Sequence, residues 1–395
     1  MRFANSRKTV CRNHESGIMR LRVIVILTLI IIVCLPCIAH ADVVSDLEDN
    51  VEEGLGNIDF SPVDNVAEGF FGSVAEKIQS IINGDFDSAE SFWKIIGSLF
   101  SQTVKGLMPE LISIFVVLVI LGLIRRTNGG LISESTDSVV SFVGVTVVLL
   151  SILSMVVDCY RQVYQMLSGV SILAEVTAPI LLTLLIANGG NTVSSVCQPS
   201  MVMFSTGVIE IIKNIVLPLS IFALVFAAVS NISSNVRVSK ASSFLNNTAG
   251  WVLGIVFMLF SAVTTVQGIS AASIDGVSYR AAKFATKNYI PILGGYLAEG
   301  FDIVVASTTL IKNAFGVVSL LILLFMIIQP LVAILSVNLG LQAVAALSEP
   351  IVDSKYVKIL GGVSKTLTFL SVLVLAVSFM FCILMFIAIC CANGV

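Results

Sequence analysis

The chain has 395 residues, 56% of them apolar and only 12% charged, with a mean hydropathy of +1.00 and a formal net charge of −3. Soluble domains carry about 25% charged residues, so an ordinary soluble enzyme and a disordered regulator are both excluded, and no basic surface is available for nucleic acid. The composition is that of an all-α polytopic membrane protein.

Residues 1–41 read as a secretory signal peptide. Met1 to Arg22 hold six basic residues and one acid, an apolar run extends from Val23 to Cys37, and Ala39-His40-Ala41 follows. A basic leader, an apolar stretch and an A-x-A site are the three parts of such a peptide. The apolar run, about 15 residues, is shorter than the roughly 20 that a span requires. Met19, with Arg20 and Arg22 after it, opens a more typical leader, so residues 1–18 are a candidate over-called start. Cys34 and Cys37 lie inside the apolar run, without the polar setting that lowers a thiol pKa. Cleavage after Ala41 would remove both histidines, His14 and His40. That would take away the usual general base near neutral pH and the histidine ligands of metal sites. The expectation is therefore no enzyme, no cofactor and no metal. The five cysteines beyond the cut, Cys159, Cys197, Cys382, Cys390 and Cys391, show no ligand spacing.

Residues 42–107 are expected to form a small acidic region outside the cytoplasm. From Asp42 to Glu110 there are 14 acids against Lys77, Lys94 and Lys105, a net of −11. Acidic segments cross a membrane readily, whereas positive charge stays behind. From Asp87, Phe92, Ile95, Ile96, Leu99, Phe100 and Val104 recur at helical spacing after an Asp87/Glu90 capping pair. Trp93 and Lys94 suit a headgroup boundary. The expectation is a juxtamembrane amphipathic helix that ends at 107.

Residues 108–395 form the multi-pass domain. Charge-free runs predict about seven transmembrane helices, near 108–124, 138–157, 167–187, 204–229, 246–267, 314–336 and 366–390, at roughly 20 residues per span. The run after Lys312 is too long for one span and contains Pro330, so 331–348 is expected to bend away as a re-entrant or interfacial piece. Asn188-Gly189-Gly190-Asn191 is a turn signal. With seven spans the positive-inside rule is violated twice, because Arg237 and Lys240, and then Lys355, Lys358 and Lys365, fall outside. A short echo, Ile211-Ile212-Lys213-Asn214 and Leu310-Ile311-Lys312-Asn313, hints at duplicated halves of the kind found in transporters.

Two sets of residues are candidates for function. Glu175, Glu210 and Lys213 fall inside apolar segments, where a charge faces protein or water rather than lipid. Their alternative place is near a membrane interface. Arg280, Lys283 and Lys287 share one helical face at i, i+3, i+7 spacing, with Asp275 before them and Lys312 after. They form a candidate partner surface, or a basic face resting on anionic lipid.

The stretch 266–316 also carries a resemblance. It includes Val266-Gln267-Gly268, Asp275-Gly276-Val277-Ser278-Tyr279-Arg280, Asn288-Tyr289-Ile290-Pro291 and Lys312-Asn313-Ala314-Phe315-Gly316. With the Pro179-to-Pro199 segment and the closing apolar helix, the region 165–391 resembles the stage III sporulation protein AE family of endospore-forming bacteria. The resemblance implies a multi-pass component of the mother-cell membrane surrounding the forespore. It implies partnership with the other stage III A sporulation proteins and with a forespore membrane partner, stage II sporulation protein Q. Together these would form a channel-like transenvelope complex that supports late forespore gene expression. No catalytic residues come with the resemblance. A self-sufficient secondary transporter is the alternative.

Overall fold

The computed structural model describes residues 89–127, 134–232, 239–289 and 294–390. The expected signal peptide and the acidic stretch through residue 88 lie outside them. Among the described residues the structure is entirely helical, in six rods. These are α1 (Ala89–Thr127), α2 (Glu134–Ala187), α3 (191–232), α4 (Ser239–Tyr289), α5 (Gly294–Ser348) and α6 (Ser354–Cys390).

A charge does not end a helix, and the chain follows its stop signals rather than its charges. The expected spans 138–157 and 167–187 are one 54-residue helix, α2, because nothing between Asp158 and Gln162 breaks it. It stops at the turn signal. Gly189 takes a left-handed φ of 78°. Its N–H bonds to the Ile186 carbonyl at 2.9 Å, and the Gly190 N–H bonds to Leu185 at 2.8 Å. These are the two closing bonds of a Schellman C-cap, whose left-handed residue favours glycine.

Pro330 does not turn the chain aside either. α5 remains helical from Gly294 through Pro330 to Ser348, so 331–348 is neither re-entrant nor a separate interfacial piece. Packing against α1, α2 and α6 holds α5 along its length, which offsets the hydrogen bond that a proline forfeits. α1 likewise runs unbroken across 107–108, carrying the amphipathic segment directly into the span.

Six helices are long and apolar enough to cross a membrane, one from each rod, against about seven expected. The apolar windows of α5 and α6 are 67% and 72% buried within the chain, whereas those of α1 and α4 are only 22% buried. α5 and α6 are therefore the central pair. Phe204 of α3, Phe260 of α4 and Phe381 of α6 meet in the core, with Phe204 centroids 5.4 and 5.9 Å from the other two rings.

Close contacts fix which ends lie together. A Cβ on Gly122 of α1 would sit 2.6 Å from the Ile351 carbonyl oxygen, between α5 and α6. Gly144 of α2 faces Leu121 and the Tyr356 hydroxyl. The Ser242 hydroxyl of α4 donates to the Ala223 carbonyl of α3 at 2.7 Å, and Gly362 of α6 faces Ala227. The α1–α2, α3–α4 and α5–α6 connections thus share one end of the bundle. At the other end, Leu185, Val193 and Cys197 of the α2–α3 hairpin pack on Ile387 of α6.

Candidate functional site

The polar residues of the apolar region gather where α2 and α3 run side by side. The two helices are joined by a Ser171 hydroxyl donating to the Ser205 carbonyl at 3.0 Å and by the Tyr160 hydroxyl donating to Ser220 at 3.0 Å. Around these contacts stand the three intramembrane candidates. Glu175 is exposed and accepts from the Ser171 hydroxyl at 3.3 Å. Glu210 is exposed and accepts from the Asn214 side-chain amide at 2.6 Å. Lys213 is half-buried, its ammonium 5.3 Å from the centre of the Tyr164 ring, within the range of a cation–π contact. Lys213 meets neither carboxylate. Further along α2, Arg161 and Asp158 form an exposed pair at 3.6 Å.

Their depth follows from the packing. Phe204, next to Ser205, touches Phe381 of α6. Phe381 is about 24 Å along α6 from Lys365, the last charged residue of that helix, at 1.5 Å per residue. Glu210 and Lys213 lie about two to three turns back along α3. Glu210 and Lys213 therefore fall about 15 and 10 Å from the level of Lys365, within the apolar stretch Asn191–Ser230 of α3, and Glu175 falls within the stretch Phe142–Ala187 of α2. A charge at the centre of a span costs about 2.5–3.5 kcal/mol on insertion scales, and less toward its ends.

The local backbone here is unusual. α3 begins as an α-helix over Asn191–Val202 and widens into a π-helical turn over Met203–Val208. It returns to α geometry for Ile209–Ile211 and widens again over Ile212–Val216, before finishing as Leu217–Ile232. Glu210 sits in the three-residue link between the two π turns, and Lys213 in the second. Such turns cluster at functional positions in helices. Hydrophobic spacing gives no sign of them in the sequence.

The second candidate set separates in space. Asp275, Arg280, Lys283 and Lys287 belong to the part of α4 past Val266. That part continues the same rod for about 35 Å, rather than forming a separate helix laid on the lipid surface. Arg280 is exposed, as is Phe284 one turn on; the side chains of Asp275, Lys283 and Lys287 lie outside the described residues.

Lys312 is a correction, because it lies on no surface. It is fully buried on α5, and its ammonium donates to the Ile389 carbonyl at 3.0 Å. Ile389 is in the last turn of α6, whose final carbonyls have no intrahelical partner. A buried cation there satisfies one of them and meets the negative end of the helix dipole. Basic residue spacing alone could not separate this role from a surface one.

Sequence reading also missed a buried polar network between the central helices. The Asn338 amide donates to the Thr368 hydroxyl at 3.1 Å, and Gln342 donates to the Asn338 carbonyl oxygen at 3.0 Å and to Ser364 at 2.8 Å. Ser364 in turn donates to Asn338 at 2.5 Å. Asn338 and Gln342 are one turn apart on α5, a spacing readable in the sequence, but their partners come from α6. No group of histidine, cysteine or acidic residues among those described could hold a metal ion. Cys159, Cys197 and Cys382 are buried.

These features define a class: a polytopic, all-helical membrane protein with an ionisable face on the outside of its apolar bundle. Comparison with known proteins narrows the class. The chain belongs to the stage III sporulation protein AE family, whose model matches residues 73–394 and so spans all six described helices. A similar protein is the stage III sporulation protein AE of Bacillus subtilis (strain 168), 28% identical over 310 residues, which cover 77% of this chain and 76% of that one. No solved structure matches. The family resemblance read from the 266–316 stretch is thereby borne out.

Proposed function

We propose that this chain is a non-enzymatic integral component of a channel-like transenvelope complex between mother cell and forespore, needed for sporulation and late forespore gene expression. Family membership supports the sporulation role. The observation that carries the assembly role is the exposed placement of Glu175 and Glu210 within the apolar length. Ionisable groups at that depth call for a protein neighbour or water, as expected of a subunit. The partners in this reading are the other stage III A proteins and the forespore protein stage II sporulation protein Q.

The orientation in this reading places the end bearing Arg125, Arg126, Lys240, Lys355, Lys358 and Lys365 in the cytoplasm, following the positive-inside rule. The acidic N-terminal region and the extended part of α4 then project into the space between the two membranes. There the exposed Arg280 is available to partners, with Lys283 and Lys287 following it in the sequence. Reversing the charge of Arg280 and Lys283 is expected to reduce heat-resistant spore yield while leaving membrane insertion intact. A normal spore yield from that double variant would remove the partner role of this segment.

A second reading, a self-sufficient secondary transporter, draws on Glu210 between two π-helical turns. Proton- or ion-coupled uptake by the purified chain in liposomes would establish it. Absence of flux would leave the complex subunit as the function.

A further inference from the structure

Lys213 and Glu210 occupy one outward stretch of α3, three residues apart, and do not pair with one another. Glu210 has the Asn214 amide as its hydrogen-bond partner, and Lys213 has the Tyr164 ring. Apolar residues around them are exposed as well, among them Ile172, Val202, Ile211 and Ile215. The face thus combines one unpaired acid, one unpaired base and an apolar surround, all within the apolar length of the bundle.

We propose that this face is where two copies of the chain meet, related by a two-fold axis parallel to the helix axes. Lys213 of each copy then meets Glu210 of the other.

Three observations favour a second copy over another occupant. Acyl chains offer neither charge nor hydrogen bond, and a fluid headgroup layer holds no acid and base at fixed heights. A covering surface must present an acid and a base at matching heights, and a copy of the same face does so by construction. An isologous contact requires a self-complementary patch, and one acid with one base provides it. The geometry also fits. A two-fold axis along the bundle keeps every residue at its own depth, so Glu210 and Lys213 of opposite copies differ by only about 4.5 Å in height. Their side chains span that offset. The pairing is reciprocal, so two equivalent ion pairs form, and the exposed apolar residues pack around them.

This inference concerns how copies of the chain associate and does not depend on the sporulation complex. Its test reads association in membrane extracts, so its failure leaves the proposed function standing. The full chain is co-expressed with two different tags, solubilised in mild detergent, and captured through one tag while the other is measured. Wild-type copies are expected to co-purify. Lys213→Glu in both copies, or Glu210→Lys in both copies, is expected to lower co-purification at least about tenfold by setting like charges face to face. Mixing a Lys213→Glu copy with a Glu210→Lys copy sets acids against bases again, and is expected to restore it. No other partner predicts recovery in the mixture.

A second variant guards against misfolding of the charge reversals. Thr206 is exposed one turn from Glu210 on the same helix, and Thr206→Cys leaves both charges in place. It is expected to give a two-copy product with a bis-maleimide linker, above the background of the wild-type cysteines. Failure of wild-type copies to co-purify, or absence of the Thr206→Cys product, would overturn the proposal. So would loss of association in the mixed pair when the cross-linked product shows the chain to be folded.

Discussion

The buried lysine allows the sharpest test of the packing. Lys312→Met keeps an unbranched apolar stem of similar length and removes only the ammonium. The Ile389 carbonyl, 3.0 Å from that ammonium, then loses a charged donor in the last turn of α6. A hydrogen bond from a charged group contributes about 1.5–3 kcal/mol, and an orphaned buried carbonyl costs about 1–3 kcal/mol. The favourable end of the helix dipole adds up to about 2 kcal/mol in partly buried settings. Against these stands the relief of no longer burying a charge, several kcal/mol for transfer from water. That relief is smaller here, because the reference is a chain already in the membrane, where polar groups have found other partners. The same reference shrinks the hydrogen-bond gain, so the expected net loss is about 1–2 kcal/mol, a five- to thirty-fold drop in the folded ratio. The measurements are the unfolding midpoint in lipid nanodiscs and amide hydrogen exchange at the end of α6. Lys312→Arg, which keeps the charge, should lose less. A Lys312→Met protein with wild-type midpoint and wild-type exchange at 386–390 would refute the capping argument.

Other substitutions probe the remaining elements. Gly122→Val would press a side chain on the Ile351 backbone, which a rotamer change cannot relieve. A loss of about 1–3 kcal/mol is expected in thermal unfolding, whereas Gly254→Ala, with nothing within 4 Å, should be neutral. Gly189→Ala forces a Cβ into the left-handed φ of 78° and should cost about 1–2 kcal/mol in the same assay. Asn338→Leu should destabilise by about 1–2 kcal/mol by stripping partners from Gln342, Ser364 and Thr368. Adding Gln342→Leu and Ser364→Ala should recover much of that loss in a denaturant titration. Single cysteines at Lys240 and Lys355 should be labelled by an impermeant reagent from the same membrane side, and one at Asn191 from the opposite side.

Where the sequence was legible, a strong local cause was at work. The Asn188-to-Asn191 turn was readable because only a few residue types satisfy its backbone. The apolar spans were readable because burial in lipid demands long charge-free runs. Seven spans follow only if charged residues end helices; Asp158 and Arg161 are instead carried through α2, and the described residues hold six candidate spans. Pro330 was read as a bend, although tertiary packing on three sides keeps α5 helical. For the candidate site, the residue types Glu175, Glu210 and Lys213 were visible, but their outward placement was not. That placement depends on which face of α2 meets α3, and on two π turns that shift the phase of α3 without leaving a mark in its hydrophobic pattern. Lys312 was assigned to a basic surface because sequence order placed it after Arg280, Lys283 and Lys287. In space it belongs to the end of a helix 77 positions away.

The merging of two expected spans into α2 does more than change a count. With seven crossings, Arg125 and Arg126 lie on one side and Lys240, Lys355, Lys358 and Lys365 on the other, so the loop charges oppose one another. With six, every one of these residues comes to the end where α1–α2, α3–α4 and α5–α6 connect, as the contacts at Gly122, Gly144 and Gly362 show. The six-helix arrangement therefore gathers these loop charges at one end, as the positive-inside rule asks, while Arg280, Lys283 and Lys287 go with the end of α4 to the other. It also assigns the rest of the charge. The acidic N-terminal segment leads into α1 at the opposite end, and the basic extension of α4 rises at that same end. Between the ends remain Glu110 on α1, Asp158, Arg161 and Glu175 on α2, and Glu210 and Lys213 on α3. Charges on the outer face of an apolar helix are costly where they meet lipid. In the proposed subunit role that cost is offset where a protein neighbour or water meets the face.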